Sequence, residues 1–157
     1  MIAALFLSFA FAGGLSAQTN FAGGWKRNND KTDPGDLLVN RVLVLITVRQ
    51  DAQRICLRRL SENRRDDTFN YGETLTFDGT PSSYSAKPNL KKTATIKWSD
   101  DKTTFTEWAD YVDSAGKQVK QIKEIWTLGD EGKTLTVSSK LTVDGQTYNM
   151  KEVFDKQ

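Results

Sequence analysis

The chain contains no histidine. That absence removes the commonest general base and the commonest transition-metal ligand together. Any catalysis would have to run on carboxylates, lysine, tyrosine, serine or a thiol. Cysteine is nearly absent as well. Cys56 stands alone, so no intramolecular disulfide can form and the fold must be held by packing and hydrogen bonds. Flanked by Ile55 and Leu57, Cys56 reads as a small buried hydrophobe rather than a nucleophile, since no histidine exists to activate it. An excess of charge is also missing. The 22 Lys and Arg against 20 Asp and Glu leave a net +2, which excludes a general nucleic-acid binder, because displacing counterions takes a large basic surplus. No Asn-x-Ser/Thr sequon is present, and no window carries a sustained helical period.

Long apolar runs are lacking too, with one exception at the start. Ile2 to Leu15 carry no charge and are dominated by Ala, Leu and Phe, yet the run falls short of the roughly 20 residues that span a bilayer. Small residues follow at Ala10-Phe11-Ala12 and at Leu15-Ser16-Ala17, two candidate cleavage points. Residues 1–17 therefore read as a secretory signal peptide, although its only positive charge is the α-amino group. The alternative is a buried N-terminal strand. The expectation is a secreted or periplasmic protein of a bacterial envelope. Its mature part, residues 18–157, is one domain with no membrane span and is expected to be a monomer; the length allows one real core.

What is present is β-strand pattern. Short runs are expected at Phe21–Asn28, Arg41–Gln50, Gln53–Leu60, Phe69–Tyr71 and Glu73–Phe77, with loops at Asn29–Asn40 and Gly79–Asn89. Five clearer strands follow at Lys92–Trp98, Thr103–Val112, Lys117–Leu128, Lys133–Val143 and Gln146–Phe154. Their connections are Ser99–Lys102, Asp113–Gly116, Gly129–Gly132 and Asp144-Gly145. An Asp-Gly pair between alternating strands is a strong hairpin signal.

Hairpins fix register, and register fixes faces. An Asp144-Gly145 turn sets Val143 opposite Gln146, Leu141 opposite Tyr148, Val137 opposite Glu152 and Leu135 opposite Phe154. Simple four-residue loops elsewhere set Trp126 opposite Leu135, Glu124 opposite Val137, Phe105 opposite Glu124, Glu107 opposite Ile122 and Ile96 opposite Phe105. The apolar positions of all five strands then share one side. Trp108, Val112, Ile125 and Val153 fall on the polar side, where a bulge or a second packed layer would explain them. Eight to ten hairpin-connected strands hide their edges best by closing. The fold class expected is therefore all-β, an antiparallel up-and-down β-barrel or barrel-like meander, with a β-sandwich as the alternative.

The opening Phe21-Ala22-Gly23-Gly24-Trp25-Lys26 carries a Gly-x-Trp at the first strand. It resembles the start of the lipocalin, fatty-acid-binding-protein and avidin superfamily. That resemblance implies a barrel in which Trp25 closes one end and Gly23 lets the backbone pass close to it; an ordinary core tryptophan is the plainer role. The longer Phe-x-Gly-x-Trp-Lys-x-Asn string, with Lys31-Thr32-Asp33 behind it and a hairpin at Glu131–Val137, also resembles a group of uncharacterised secreted bacterial proteins. Two departures stand out. The lipocalin pattern stacks a last-strand Arg on the Trp, but no Arg follows Arg65, so Lys151 or Lys156 must substitute. The helical lid and terminal Arg-x-Tyr of the fatty-acid-binding members are missing.

Three glutamates are the sharpest candidates for chemistry. Glu107, Glu124 and Glu152 fall on the apolar face, where a carboxylate must be paired, hydrogen-bonded or protonated. With Trp98, Phe105, Trp126 and Tyr148 they form a candidate ligand site for a small, partly apolar molecule. A bulge, or a place at the barrel mouth in water, would make them ordinary. The second cluster is Arg41, Arg49, Arg54, Arg58, Arg59, Arg64 and Arg65. It is either an anion-binding face or a solvated surface paired with Glu62, Asp66 and Asp67. The leading function is an exported small-molecule-binding protein. A cell-envelope interaction or structural protein with a filled core and an Arg-rich contact surface is second, and a carboxylate-based enzyme third. No catalytic residue, cofactor or metal is assigned.

Overall fold

The computed structural model of the 157-residue chain describes residues 18–35, 41–63 and 67–157; the expected signal segment and Arg64 and Arg65 lie outside them. Ten strands run β1 (Gly23–Arg27), β2 (Arg41–Gln50), β3 (Arg54–Asn63), β4 (Thr68–Thr76), β5 (Ser82–Lys87), β6 (Leu90–Trp98), β7 (Thr104–Asp113), β8 (Gln118–Gly129), β9 (Thr134–Val143) and β10 (Gln146–Lys156). They form one antiparallel sheet in the order β4-β3-β2-β1-β10-β9-β8-β7-β6-β5. The first and last strands pair, with Trp25 opposite Lys156, so the sheet curls into a nearly closed barrel rather than two facing sheets. No helix among the described residues is long and apolar enough to cross a membrane.

The seam lies between β4 and β5. No backbone ladder joins them. Side chains do the work instead: the Tyr84 hydroxyl of β5 accepts the Thr74 N–H at 2.8 Å and donates to the Thr74 carbonyl, imitating a missing rung. Inside, Lys92 of β6 reaches Glu73 of β4. The expected Gly79–Asn89 loop therefore contains a strand, and the two weak strands expected at Phe69–Phe77 are one, with Gly72 paired to Arg58 in its middle. A polar edge strand such as Ser82–Lys87 gives little hydrophobic alternation to read.

One end of the barrel is filled. Trp25 and Phe21 are fully buried, and the Trp25 indole N–H donates to the Phe21 carbonyl at 2.9 Å. Gln50 clamps the entering chain by bonding Thr19 and Phe21, which carries the Phe21 ring under the barrel. There it meets Phe105 edge-on at 5.0 Å and Trp98 at 5.9 Å. Lys156 lies over the Trp25 ring at 5.4 Å, so of the two lysines expected to replace the stacking arginine it is Lys156 that does. Gly23 has φ +145°, and a Cβ there would lie 3.2 Å from the Lys156 side chain. The Trp25 indole would lie 3.8 Å from that Cβ, an ordinary contact, so it is the backbone conformation and the Lys156 side chain that call for glycine here.

The final hairpin has the expected register, from Gln146 opposite Val143 to Phe154 opposite Leu135. The other three registers differ from expectation by two residues. Trp126 faces Val137, Glu124 faces Ser139, Phe105 faces Trp126, Glu107 faces Glu124 and Ile96 faces Glu107. Two loops sit one position later than expected. Asp130, Glu131 and Gly132 take the left-handed turn, so Gly129 extends β8. Ser99 likewise pairs just beyond the end of β6, donating its N–H to the Thr104 carbonyl. The third hairpin carries a bulge at Tyr111/Val112. A shift of two leaves every side chain on its expected face, because the strand period is two.

Candidate functional site

Inward-facing residues stack in rungs across β6 to β10. One rung of the filled end is Trp98–Phe105–Trp126–Val137–Glu152. Above it runs Ile96–Glu107–Glu124–Ser139–Met150, then Ala94–Ala109–Ile122–Leu141–Tyr148. Glu107 and Glu124 are therefore directly opposed and buried, at 1% and 7% exposure. Two carboxylates so placed repel unless cations lie between them.

The cations come from the other wall. On β3, Ile55, Leu57 and Arg59 alternate onto the inner face, so Arg59 crosses the lumen at 3% exposure. Its Nη1 donates to both oxygens of Glu124 at 3.0 and 2.9 Å, and its Nη2 donates to Glu107 at 2.7 Å. Its Nε lies 3.2 Å from Glu73, an ion pair without an aligned hydrogen bond. Lys92 donates to Glu73 and Glu107, both at 2.6 Å. The Trp126 indole N–H completes Glu124 at 3.1 Å, and the Arg59 guanidinium lies over the same indole at 5.1 Å. Glu152 pairs separately with Arg27 of β1.

Three carboxylates against two cations leave this network one negative charge over. Burial and the neighbouring Glu107 hold the Glu73 carboxyl above its ordinary range. Burial also pushes on Glu107, but Arg59 and Lys92 outweigh it and hold that carboxyl below its ordinary range. Burial pushes Tyr71, beside Arg59 on β4, up to about 12.

Above the network the barrel is open. A cavity of about 220 Å³ has Arg59, Glu124 and Arg27–Glu152 as its floor and Leu43, Ile122, Leu141 and Met150 as apolar wall. Tyr71, Lys120 and Ser139 add polar groups to that wall. Ser139 Oγ is buried and has no hydrogen-bond partner among the described residues. Lys120 has no carboxylate partner among them; its ammonium lies over the Tyr111 ring at 4.0 Å. Burial, with Lys92 adding repulsion, pushes the Lys120 amine down to about 8.

The expected ligand residues thus separate into three groups. Glu124 and Glu152 border the cavity, and Glu107 lies beneath it in the ionic network. Trp98, Phe105 and Trp126 belong to the aromatic pack at the filled end, where Phe105 stacks on Trp126 at 5.2 Å. Tyr148 is half-buried near the last hairpin, its hydroxyl bonded to Gln146. The arginine cluster divides as well. Arg59 is interior, Arg54 pairs with Asp51 at 3.1 Å, and Arg49 and Arg58 flank Cys56 around an outer depression of about 430 Å³. Glu73, Lys92, Arg27 and Lys120 were not expected at the site. Their signal was alternation, as in Lys92–Ala94–Ile96–Trp98, where the period of two puts a lysine on an apolar face.

No protein-family model matches the chain, and no curated protein does either. Among solved structures, the fold is similar to the crystal structure of secretory abundant heat soluble protein 4 from Ramazzottius varieornatus. The TM-score is 0.51 at 9% identity, over 87% of this chain and 94% of that one. At that identity the likeness is one of fold alone.

Proposed function

We propose that this protein is an exported, lipocalin-like carrier that holds a small, partly apolar molecule in the open half of its barrel. The observation that supports this is the cavity of about 220 Å³, with an apolar wall on one side and charged groups on its floor. Its acids, Glu124 and Glu152, already hold arginines, while Lys120 and Ser139 lack hydrogen-bonding partners among the described residues. The ligand's polar end is therefore a hydrogen-bond acceptor or an anion, and its apolar body lies on Leu43, Ile122, Leu141 and Met150. The cation-paired glutamates suit binding better than acid–base catalysis. Native mass spectrometry of protein purified gently from its own host tests this. A bound small molecule, lost on denaturation and missing from an Ile122→Trp variant that fills the cavity, is the expected result. An apo mass, together with no uptake of a fluorescent amphiphile, would refute it.

The second reading, an envelope protein acting through its arginine-rich surface, is favoured by one observation. Arg49 and Arg58 have no acidic partner among the described residues and border the outer depression beside the seam. A salt-sensitive protein partner lost on Arg49→Ala/Arg58→Ala would select it.

A further inference from the structure

On β6 to β10, four apolar residues fall on the outward, otherwise polar face: Trp108, Val112, Ile125 and Val153. The structure accounts for two. Val153 is covered by the segment after β1, through the Asn28 N–H to its carbonyl at 2.8 Å and the Thr32 hydroxyl. Val112 sits at the bulge of β7 and β8. Trp108 and Ile125 remain, and they are the large hydrophobics exposed among the described residues, at 41% and 38%. They are not scattered. Trp108 lies opposite Lys123, and Ile125 is the next outward position on the same strand, so the two side chains are diagonal neighbours.

Their surroundings are basic. One outward rung reads Lys97–Thr106–Ile125–Ser138–Lys151 and the next reads Thr95–Trp108–Lys123–Lys140–Asn149. All four lysines are exposed, and none has a carboxylate partner among the described residues. Lys123 and Lys140 are directly opposed across β8 and β9, an arrangement that repels unless an anion sits between them. They flank a shallow depression of about 260 Å³ that Ser138 and Asn149 also line. Two acids border this face, and Asp33 is bridged to Lys151 through the backbone. Asp110 accepts from Gln118 and Gln121, and Asp33 accepts from the Gly35 N–H. Lys123 lies over the Trp108 ring at 5.8 Å, and in a chain of net charge +2 four lysines without a carboxylate partner on two neighbouring rungs are a local surplus.

We propose that this outer face of β6 to β10 docks onto an anionic lipid bilayer, the lysines against the headgroups and Trp108 with Ile125 in the interface. An indole sits well at headgroup level. An aliphatic side chain gains by entering the acyl boundary and gains nothing from a soluble polyanion, so Ile125 selects the bilayer. Lysines act here as point charges in the surface potential, without the forked geometry that arginine gives to a single phosphate. The apolar area of the face is small, so attachment is peripheral and sensitive to salt. It does not depend on the interior cavity.

Vesicle co-sedimentation and tryptophan emission test it. Trp25 and Trp126 are fully buried and Trp98 partly so, which makes Trp108 the accessible reporter. The protein is expected to bind vesicles of phosphatidylcholine mixed with phosphatidylglycerol, and not those of phosphatidylcholine alone. Its emission should then shift to shorter wavelength, Trp108 should become protected from acrylamide, and added salt should release it. Lys123→Gln/Lys140→Gln should bind about 25-fold more weakly, about fivefold per lysine, at an unchanged melting temperature. Lys117→Gln/Lys133→Gln, on hairpin loops, should bind as the parent does, and Trp108→Ser should lose the shift. Equal affinity for neutral vesicles, no binding to either, or equal loss in the loop pair would overturn the proposal. So would a Trp108 shift produced by a soluble sulfated polysaccharide but not by vesicles.

Discussion

Replacing Arg59 by methionine keeps an apolar stem in the lumen and deletes the charge that three carboxylates share. Lys92 would still reach Glu73 and Glu107 at 2.6 Å each, so those two keep a cation. Glu124 would keep only the Trp126 indole N–H at 3.1 Å. One buried carboxylate is thus orphaned, and breaking a buried pair from one side costs about 3–5 kcal/mol. For a domain of this size that lowers the melting temperature by about 10–15 °C. The loss must depend on pH. Burial without a cation disfavours the charged form of a carboxylate, so the deficit is expected to shrink as pH falls towards 5. The parent behaves differently on acidification. Glu107, held below its ordinary range, stabilises the fold above the unfolded value of 4.5, and that contribution disappears as acid protonates it. Glu73, held above its ordinary range, contributes in the opposite sense and loses its share as pH rises. Urea unfolding of parent and variant at pH 7 and pH 5 reads all of this, and Glu124→Gln in the variant background should recover part of the loss. A deficit below about 1 kcal/mol at pH 7, or one that ignores pH, would mean that water rather than Arg59 compensates the glutamates.

Lys120→Met should raise stability at pH 7 by at most about 3 kcal/mol. The amine titrates near 8 when folded against 10.5 unfolded, so parent stability should climb with pH between those values, and a flat profile by thermal melting would refute the burial of the ammonium. Tyr84→Phe removes both hydrogen bonds to Thr74 at the seam; about 1 kcal/mol of stability should go, and hydrogen exchange at Thr74 should quicken while β8 to β10 stay protected. Trp25→Ala empties a fully buried site and should cost about 3–5 kcal/mol; an unchanged melting temperature would remove its role as the plug.

The meander was legible because its hairpins carry strong turn chemistry and its strands alternate cleanly. Parity protected the reading of its faces. Loops misplaced by one position, or a bulge, moved partners by two residues and left Glu107, Glu124, Ile122 and Trp126 on the side expected. What moved was depth along the barrel. Phe105 was expected beside Glu124 and instead lies beside Trp126, one rung deeper in the filled end. That slip separates an aromatic core from a cavity wall, and nothing in strand periodicity corrects it. The seam was illegible for another reason. Tyr84 and Lys92 hold β4 to its neighbours by side chains, and such contacts leave no hydrophobic pattern in Ser82–Lys87.

The site was half legible, and the missing half follows from charge balance. Inward glutamates on β7 and β8 were readable, but their partners were sought in solvent or a bulge. The three buried carboxylates and the half-buried Glu152 require cations at hydrogen-bonding distance, and every cation they found was already marked by alternation: Arg59 after Ile55 and Leu57, Lys92 before Ala94 and Ile96, Arg27 after Trp25. Arg59 lies 48 and 65 residues from the glutamates it joins, a distance no local motif spans. A closed sheet supplies the missing step. Once the first and last strands pair, the inward positions of β3 face those of β7 and β8 across the lumen, so a lysine or arginine at an inward position must find an acid there or remain unpaired. By that criterion Lys120 is the inward cation without an acid among the described residues, and its ammonium, held over the Tyr111 ring at 4.0 Å, borders the open half of the barrel.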